Sequence, residues 1–530
     1  MGVIKYFGPP GTGKTRTLIG ILNNLAKKYA PDKIGFYSFT RAAAYDAKKR
    51  AVAVTGKEWK DFSHFGTIHS ECFKQLNLDK AQVLDEHKFA EFCEKNGYEY
   101  KLRKTMVEEA LEFGMDIYDV VNIDNTTTKM YALYQLSREL MVPPEKTLHE
   151  YLNYFPEPSY GINVVKYRDF IKKYNLYKEK NGLFDFSDFV EICLKEGLVP
   201  ELDVVFIDEC QDLTRLEWEY VKRLIANAKI AFIAGDVDQT IYVWRGAAPQ
   251  YFLNFPGKDK MLTDSHRVPI AVWKKAFNLI KRNHIRKQDL IYLPKNEKGE
   301  FKYIRDINYL DFDQLLNEKT FILSRNWFFL KEIAKTLEKS AIPFVTIGLT
   351  SLYKKSIVDA IMALEKIRKK EPVVTSDLKA LFKLISAKPW LVLGAKTKIQ
   401  KEKKEKFYNF DEYKQFMTEL FLNKISKLED ALDVLKIDAS YKNFYLKLIK
   451  KGIEYLQKEP TITLASIHWS KGLEADNVIL VSNISYKTLI STKVYPEDER
   501  RVFYVGMTRA KKRLYILEPN YEYFYEELFR

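Results

Sequence analysis

Cysteine is scarce in this chain. Four are spread over 530 residues (Cys72, Cys93, Cys193, Cys210), with no C-x-x-C pair among them. Neither a disulfide framework nor a zinc or iron–sulfur site is indicated, and the four read as reduced packing residues. The seven histidines form no ligand cluster, so a catalytic metal is expected to come with a nucleotide. No apolar run reaches the roughly 18 residues needed to span a membrane. The amino terminus lacks the order of a signal peptide, Met1 running almost directly into a β-like stretch, and the expected location is cytoplasmic. Internal repeats and long linkers are missing as well.

Positive charge is what the chain has in excess. Lys and Arg number 86 against 71 Asp and Glu, a formal +15. That imbalance favours a polyanionic partner, nucleic acid first, with a general lysine enrichment as the plain alternative. Hydrophobic residues make up 46% and charged residues 30%, the balance of a soluble globular chain with a large core. Length alone suggests about three to five domains.

The chain is organised around Gly8-Pro9-Pro10-Gly11-Thr12-Gly13-Lys14-Thr15, a match to G-x-x-x-x-G-K-[ST]. A β-branched and aromatic run precedes it, and Leu18, Ile21, Leu22 and Leu25 follow at helical spacing. Such a strand–loop–helix junction turns backbone N–H groups and a helix N-terminus toward an anion. Small residues let the main chain wrap phosphates closely, Lys14 can bridge the β- and γ-phosphates, and the Thr15 hydroxyl is placed for Mg²⁺. Kinases, GTP switches, transporters and motors all remain compatible with this loop.

Further β-like runs, KIGFYS (33–38), DVVFID (203–208) and KIAFIA (229–234), each end in a polar cluster and alternate with helical patterns. That is the sequence form of a parallel sheet with helices on both faces, whose ligands sit at the strands' carboxyl ends. Residues 79–182 read as a tyrosine-rich helical insertion broken at Pro143-Pro144 and Pro156-Glu157-Pro158. A second α/β pattern follows Phe255-Pro256-Gly257, with strands near 320–324, 343–347, 461–466, 477–482 and 513–517, and is interrupted by a charged helical stretch at 369–459. Six lysines between 396 and 406 read first as a solvated helix face and second as a DNA contact.

DVVFID delivers Asp208-Glu209-Cys210-Gln211-Asp212 beside the phosphate loop. Hydrolysis needs one carboxylate to hold Mg²⁺ and one to orient and deprotonate water, assigned to Asp208 and Glu209 respectively; an acidic helix cap is the structural alternative. KIAFIA runs into Gly235-Asp236-Val237-Asp238-Gln239-Thr240-Ile241-Tyr242-Val243-Trp244-Arg245-Gly246-Ala247. Gln239 can sense a γ-phosphate. Tyr242 and Trp244 could project from an extended loop and stack on successive bases, worth about 1–3 kcal/mol each, or both rings could pack in the core.

At this point the chain resembles the UvrD/Rep-like superfamily-1 DNA helicases. The resemblance runs through Ser38-Phe39-Thr40, Thr67-Ile68-His69-Ser70, DECQD, GDVDQTIYVWRGA, Ser265-His266-Arg267, SIHWSKGLE (466–474) and ERRVFYVGMTRAK (499–511). It implies a fold of two RecA-like P-loop motor domains, at 1–78 with 183–257 and at 258–368 with 460–530, carrying helical insertions at 79–182 and 369–459. It implies ATP with Mg²⁺ as cofactors. Gln239, Arg267 and Arg509 would act on the γ-phosphate, and Glu474 on the ribose. Phe39, Thr40, His69, Tyr242, Trp244, Arg245 and His468 would line a single-strand path, with satisfied turn histidines as the alternative for His69 and His468. The implied activity is 3′ to 5′ movement on single-stranded DNA and at single-strand/duplex junctions, in repair or replication. A translocase or clamp without unwinding, serving a nuclease partner, is the alternative.

Three features depart from the family pattern. No glutamine-containing adenine clamp precedes Gly8, so the base is expected to rest on His266 and Arg16. The usual tyrosine before Arg267 is His266. The D-F-D-D element reads Asp185-Phe186-Ser187-Asp188.

Overall fold

The computed structural model describes residues 2–100, 126–154, 162–347 and 351–530. The break expected at Pro156-Glu157-Pro158 lies outside the described residues. Two six-stranded parallel sheets flanked by helices organise the chain, an α/β architecture.

The first sheet contains β1 (Gly2–Phe7), β2 (Ile34–Tyr37), β3 (Phe65–Gly66), β4 (Val204–Ile207), β5 (Ile230–Gly235) and β6 (Lys258–Met261), in the order β3-β2-β4-β5-β1-β6. Every pairing is parallel. Its inner strands are apolar on both faces because both faces are covered. On one side Leu18, Ile19 and Leu22 of helix Lys14–Leu25, with Ala47 and Ala51 of helix Arg41–Thr55, pack on Phe36, Phe206 and Phe232. Those three rings stack across neighbouring strands at 5.8 and 5.1 Å. On the other side Phe189, Val190, Trp218 and Val221 cover Val205, Ile207 and Ile233.

The helices that follow begin on side-chain caps: Thr40, Thr67, Asp185 and Thr214 each accept a backbone N–H of the helix they start. Capping satisfies donors that would otherwise be buried unpaired. Two strands of this sheet have no counterpart among the sequence expectations. β3 is only two residues long, and β6 (KDKM) alternates exposed and half-buried positions at the sheet edge, so it carries no apolar run.

β7 (Asp264–Pro269) pairs with β8 (Leu293–Lys295) apart from both sheets. The second sheet contains β9 (Glu300–Ile304), β10 (Thr320–Ser324), β11 (Phe344–Thr346), β14 (Ile462–Ser466), β15 (Ala475–Val481) and β16 (Ala510–Leu517), ordered β11-β14-β10-β15-β16-β9. The short strands β12 (Val373–Val374) and β13 (Phe407–Tyr408) form an antiparallel pair.

The chain divides into two compact units: Met1–Arg305, Leu323–Asn326 and Ser466–Arg530; and Asp306–Ile322 with Trp327–Ala465. In the first, helices Glu86–Lys95, Thr126–Glu139 and Val164–Asn181 gather around Phe92, Tyr167, Phe170 and Tyr174. In the second, helices Lys355–Arg368 and Thr375–Leu384 share a core with Tyr413, Phe421, Tyr445 and Leu448. Helix Ala395–Lys401 turns Ala395 and Ile399 into that core and leaves Lys398 and Lys401 exposed, as a solvated face does. Among the described residues no helix is long and apolar enough to cross a membrane.

Candidate nucleotide site and nucleic-acid contacts

The phosphate loop joins β1 to helix Lys14–Leu25. Gly11 and Gly13 have φ of 81° and 79°, the left-handed region open to glycine, and a Cβ on Gly11 would stand 2.5 Å from the Arg267 Cβ. A side chain at Gly11 would collide with Arg267 and Ser265, so the glycine is what lets those residues seat closely against the loop. Lys14 is buried, its Nζ donating to the Gly8 carbonyl at 2.8 Å across the mouth of the loop. Thr12 Oγ1 donates to the Pro9 carbonyl at 2.9 Å. From outside, Ser265 Oγ donates to the Pro10 carbonyl at 2.8 Å and the His266 N–H to the Gly11 carbonyl at 2.9 Å. Arg267 is thereby seated directly against the loop. His266 and Arg16 are both exposed.

Asp208 follows directly on β4, and its Oδ2 accepts from Thr15 Oγ1 at 2.5 Å. Two hard oxygen donors stand side by side at the start of the phosphate-loop helix, a donor set that suits Mg²⁺. Burial, then the neighbouring Glu209, pushes the Asp208 carboxyl up to about 6. Glu209 goes the other way. Burial raises it, but Lys14 and Lys471, with the bond from Gln211 Nε2 at 2.5 Å, outweigh burial and hold it below its ordinary value. Its backbone is left-handed at φ 55°, an uncommon conformation for a side-chain-bearing residue. The two carboxyls therefore titrate apart, Glu209 losing its proton before Asp208.

Gln239 stands at the end of the turn Val237–Gln239 with both ends of its amide engaged. Its Nε2 donates to Asp236 at 2.7 Å, and its Oε1 accepts from Arg509 Nη2 at 2.8 Å. Arg509 is fully buried, bonding the Val505 carbonyl at 2.9 Å and the Leu473 carbonyl at 3.3 Å, and burial followed by Arg267 brings it down to about 9. Arg267 Nε donates to Glu474 at 2.8 Å. Lys471 bonds the Asp212 carboxylate and, at 2.6 Å, the Gln239 carbonyl. Lys14, Thr15, Asp208, Glu209, Gln239, Arg267, Glu474 and Arg509 therefore converge around one loop.

Of the residues expected on a nucleic-acid path, Phe39, Tyr242, Trp244, Arg245 and His468 form a ring cluster beside it, and Thr40 and His69 do not join it. Phe39 and Tyr242 stack at 4.7 Å, the Arg245 guanidinium lies 5.1 Å over Phe39, and Lys471 lies 5.0 Å over Tyr242. Trp244 meets Tyr242 edge-on at 6.4 Å, and His468 tilts against it at 6.2 Å. The segment is not the extended loop expected from sequence. Val243–Arg245 is a 3₁₀ turn closed by Gly246 at φ 96°, and Tyr242 is buried against Phe39, because a large ring with an apolar neighbour gains more by packing. His468 is buried too, and desolvation with Arg325 and Lys471 nearby drives it well below its ordinary value. Thr40 serves as a helix cap. His69 pairs with Glu217 at 3.3 Å and packs edge-on against Phe186.

The sequence matches the model of the UvrD/REP helicase N-terminal domain over residues 4–260 and that of the UvrD-like helicase C-terminal domain over residues 364–520. The chain belongs to the UvrD/Rep-like superfamily-1 helicases. It is 24% identical to the probable DNA helicase II homolog of Mycoplasma capricolum, over 98% of this chain and 82% of that protein. It is also 24% identical to the ATP-dependent DNA helicase PcrA of Bacillus subtilis (97% and 80%) and to the ATP-dependent DNA helicase Rep of Buchnera aphidicola from Schizaphis graminum (95% and 89%). As a UvrD/Rep-like helicase it is an ATP-driven enzyme acting on DNA.

The sequence of this helicase does not show what Lys471 and Ser187 bind. Lys471 is visible only as one letter of SIHWSKGLE, and its partners lie 259 and 232 residues away. The serine that departs from D-F-D-D holds a buried carboxylate in place. Ser187 Oγ donates to Glu139 at 2.6 Å, and the other oxygen of Glu139 accepts from Thr214 Oγ1 at 2.7 Å. A Cβ on Gly246 would stand 3.1 Å from the Glu139 Cβ, so this carboxylate lies directly beneath the turn that bears Trp244.

Proposed function

We propose that the chain moves 3′ to 5′ along single-stranded DNA, hydrolysing ATP in a cleft between motor domains at 1–78 with 183–257 and at 258–368 with 460–530. The observation that carries this reading is the double engagement of Gln239. One residue joins the buried Arg509 to Asp236, and three positions on its turn gives way to Tyr242 and Trp244. A change at the γ-phosphate is thus passed to the ring cluster through a few bonds.

Lys14 grips the β- and γ-phosphates, and the backbone of Gly8 to Gly13 wraps them. Glu209, ionised and turned by its left-handed backbone, takes the proton of the attacking water. Arg267 and Arg509 stabilise the charge that develops on the transferred phosphoryl group. Thr15 and Asp208 would hold Mg²⁺, which neutralises phosphate charge and orients the triphosphate when bound. Glu474 would receive the ribose, and His266 with Arg16 the base. Arg245, Phe39, Trp244 and their neighbours hold the strand by stacking and charge. Helical insertions at 79–182 and 369–459 interrupt the two motor domains, and the setting would be DNA repair or replication inside the cell.

Displacement assays with 3′- and 5′-tailed substrates test this, read as loss of a paired strand or of streptavidin from an end-labelled oligonucleotide. Activity on 3′ tails is expected. Preference for 5′ tails overturns the polarity, and DNA-independent ATPase without displacement would leave a nucleotide-gated clamp.

A further inference from the structure

The turn that carries Gln239 has a middle residue that meets neither the phosphate loop nor the ring cluster. Asp238 is buried, and its Oδ2 accepts from Arg286 Nη2 at 2.6 Å. The Arg286 side chain is 12% exposed, its guanidinium 5.6 Å over the Phe277 ring. Charge-assisted bonds at this depth are directional and costly to break.

Arg286 does not stand alone. Its turn is fastened to helix Pro496–Met507. The Glu497 carboxylate accepts from the backbone N–H groups of His284 (2.7 Å) and Ile285 (3.3 Å), Asn283 Nδ2 donates to the Glu497 carbonyl at 3.0 Å, and Arg501 Nη2 donates to the Ile285 carbonyl at 2.8 Å. Two residues beyond that helix is Arg509, bonded to the Gln239 amide. One packed body therefore reaches the Gln239 turn twice, directly through Arg509 and, one residue earlier, through Arg286 and Asp238.

We propose that Arg286 is a positioning residue of the ATPase: by holding Asp238 it fixes the turn that presents Gln239 to Arg509. This rests on the reading of Gln239 and Arg509 as a γ-phosphate pair. Arg286 touches neither nucleotide nor DNA in this scheme. Without it the turn keeps only the bonds of Arg509 and Lys471 to Gln239, Arg509 meets Gln239 in the productive geometry less often, and turnover falls while the phosphate loop binds ATP as before.

The test uses the full chain, steady-state ATPase with saturating oligo(dT), and variants Arg286→Met, Arg286→Lys, Asp238→Asn and the Asp238→Asn/Arg286→Met double. Arg286→Met is expected to lower kcat by about tenfold or more with KM for ATP changed by less than about threefold. Arg286→Lys should recover part of that loss, and the double variant should be no worse than the poorer single one. A merely structural role would lower the melting temperature with kcat and KM drifting together and losses that multiply. A kcat of Arg286→Met within about twofold of wild type, or multiplying losses, overturns the proposal. If Arg286→Met does not fold, Asp238→Asn decides by the same kcat threshold. Gln239→Ala separates the two levels: if it keeps wild-type turnover the γ-phosphate reading itself fails, whereas an impaired Gln239→Ala beside a normal Arg286→Met sinks only the role of Arg286.

Discussion

Lys14 and Glu209 lie in one electrostatic network, yet their losses should look different. Lys14→Ala removes a phosphate grip and is expected to weaken ATP binding along with turnover. Glu209→Gln keeps shape and hydrogen bonding but cannot take a proton, so it should bind ATP and turn over about 10²–10⁴-fold more slowly. Nucleotide-binding titrations beside kcat measurements check the split, and near-normal hydrolysis by Glu209→Gln would remove it from the role of base. His468 gives a pH prediction. Burial, with Arg325 and Lys471, holds its folded form neutral, while the unfolded chain gains a proton as pH falls through about 6.5. The unfolded state binds more protons there, so stability is present above that value and lost below it, by at most about 1.4 kcal/mol per unit. In thermal melts at pH 7.5 and 5.5, His468→Gln should lose less than wild type; equal losses would mean the ring is not buried neutral.

At the scale of elements, the turn Val243–Arg245 should separate grip from chemistry. Trp244→Ala is expected to keep measurable basal ATPase while losing about 1–3 kcal/mol of single-strand affinity and most movement, which anisotropy and streptavidin displacement would measure together. Beneath the turn, Ser187→Asp would set a second carboxylate against buried Glu139 where a hydroxyl now donates at 2.6 Å. Restoring the family's residue is therefore expected to destabilise this chain by about 2–4 kcal/mol, seen as a lower melting temperature than Ser187→Ala gives.

Elements of this kind also mark how far the sequence could be read. β1, β2, β4 and β5 announce themselves because inner strands of a parallel sheet must be apolar on both faces, and the loop after β1 because phosphate wrapping demands its glycines. Arg286 and Glu139 are silent in the sequence, and Lys471 is only one letter of SIHWSKGLE. A buried charge is legible only with its partner, and these partners sit 48, 75 and 259 residues away. The Tyr242 spacing allowed both stacking on bases and packing, and the ring 4.7 Å away at Phe39 decides for packing in this structure.

For the molecule as a whole, the +15 charge should appear as salt dependence. Each phosphate neutralised on single-stranded DNA contributes about −0.7 to the slope of log K against log salt. Wild type should give a clearly negative slope, and Arg245→Ala one shallower by about one contact; a flat line would detach the charge excess from DNA binding.

β1 runs down the sheet between β5 and β6, Gly2 lying opposite Ile230 and Ile4 opposite Lys258. Both neighbours are synthesised more than 220 residues after it. At about 5–20 residues per second the strand waits on the order of 10–50 s with both edges bare. Its run is GVIKYF, and the single charge in it, Lys5, ends buried against Asp259 of β6 at 3.1 Å. A lysine in such a segment discourages pairing with the wrong edge. The lysine whose ion pair closes the finished sheet thus also discourages the nascent strand from finding another partner during the delay.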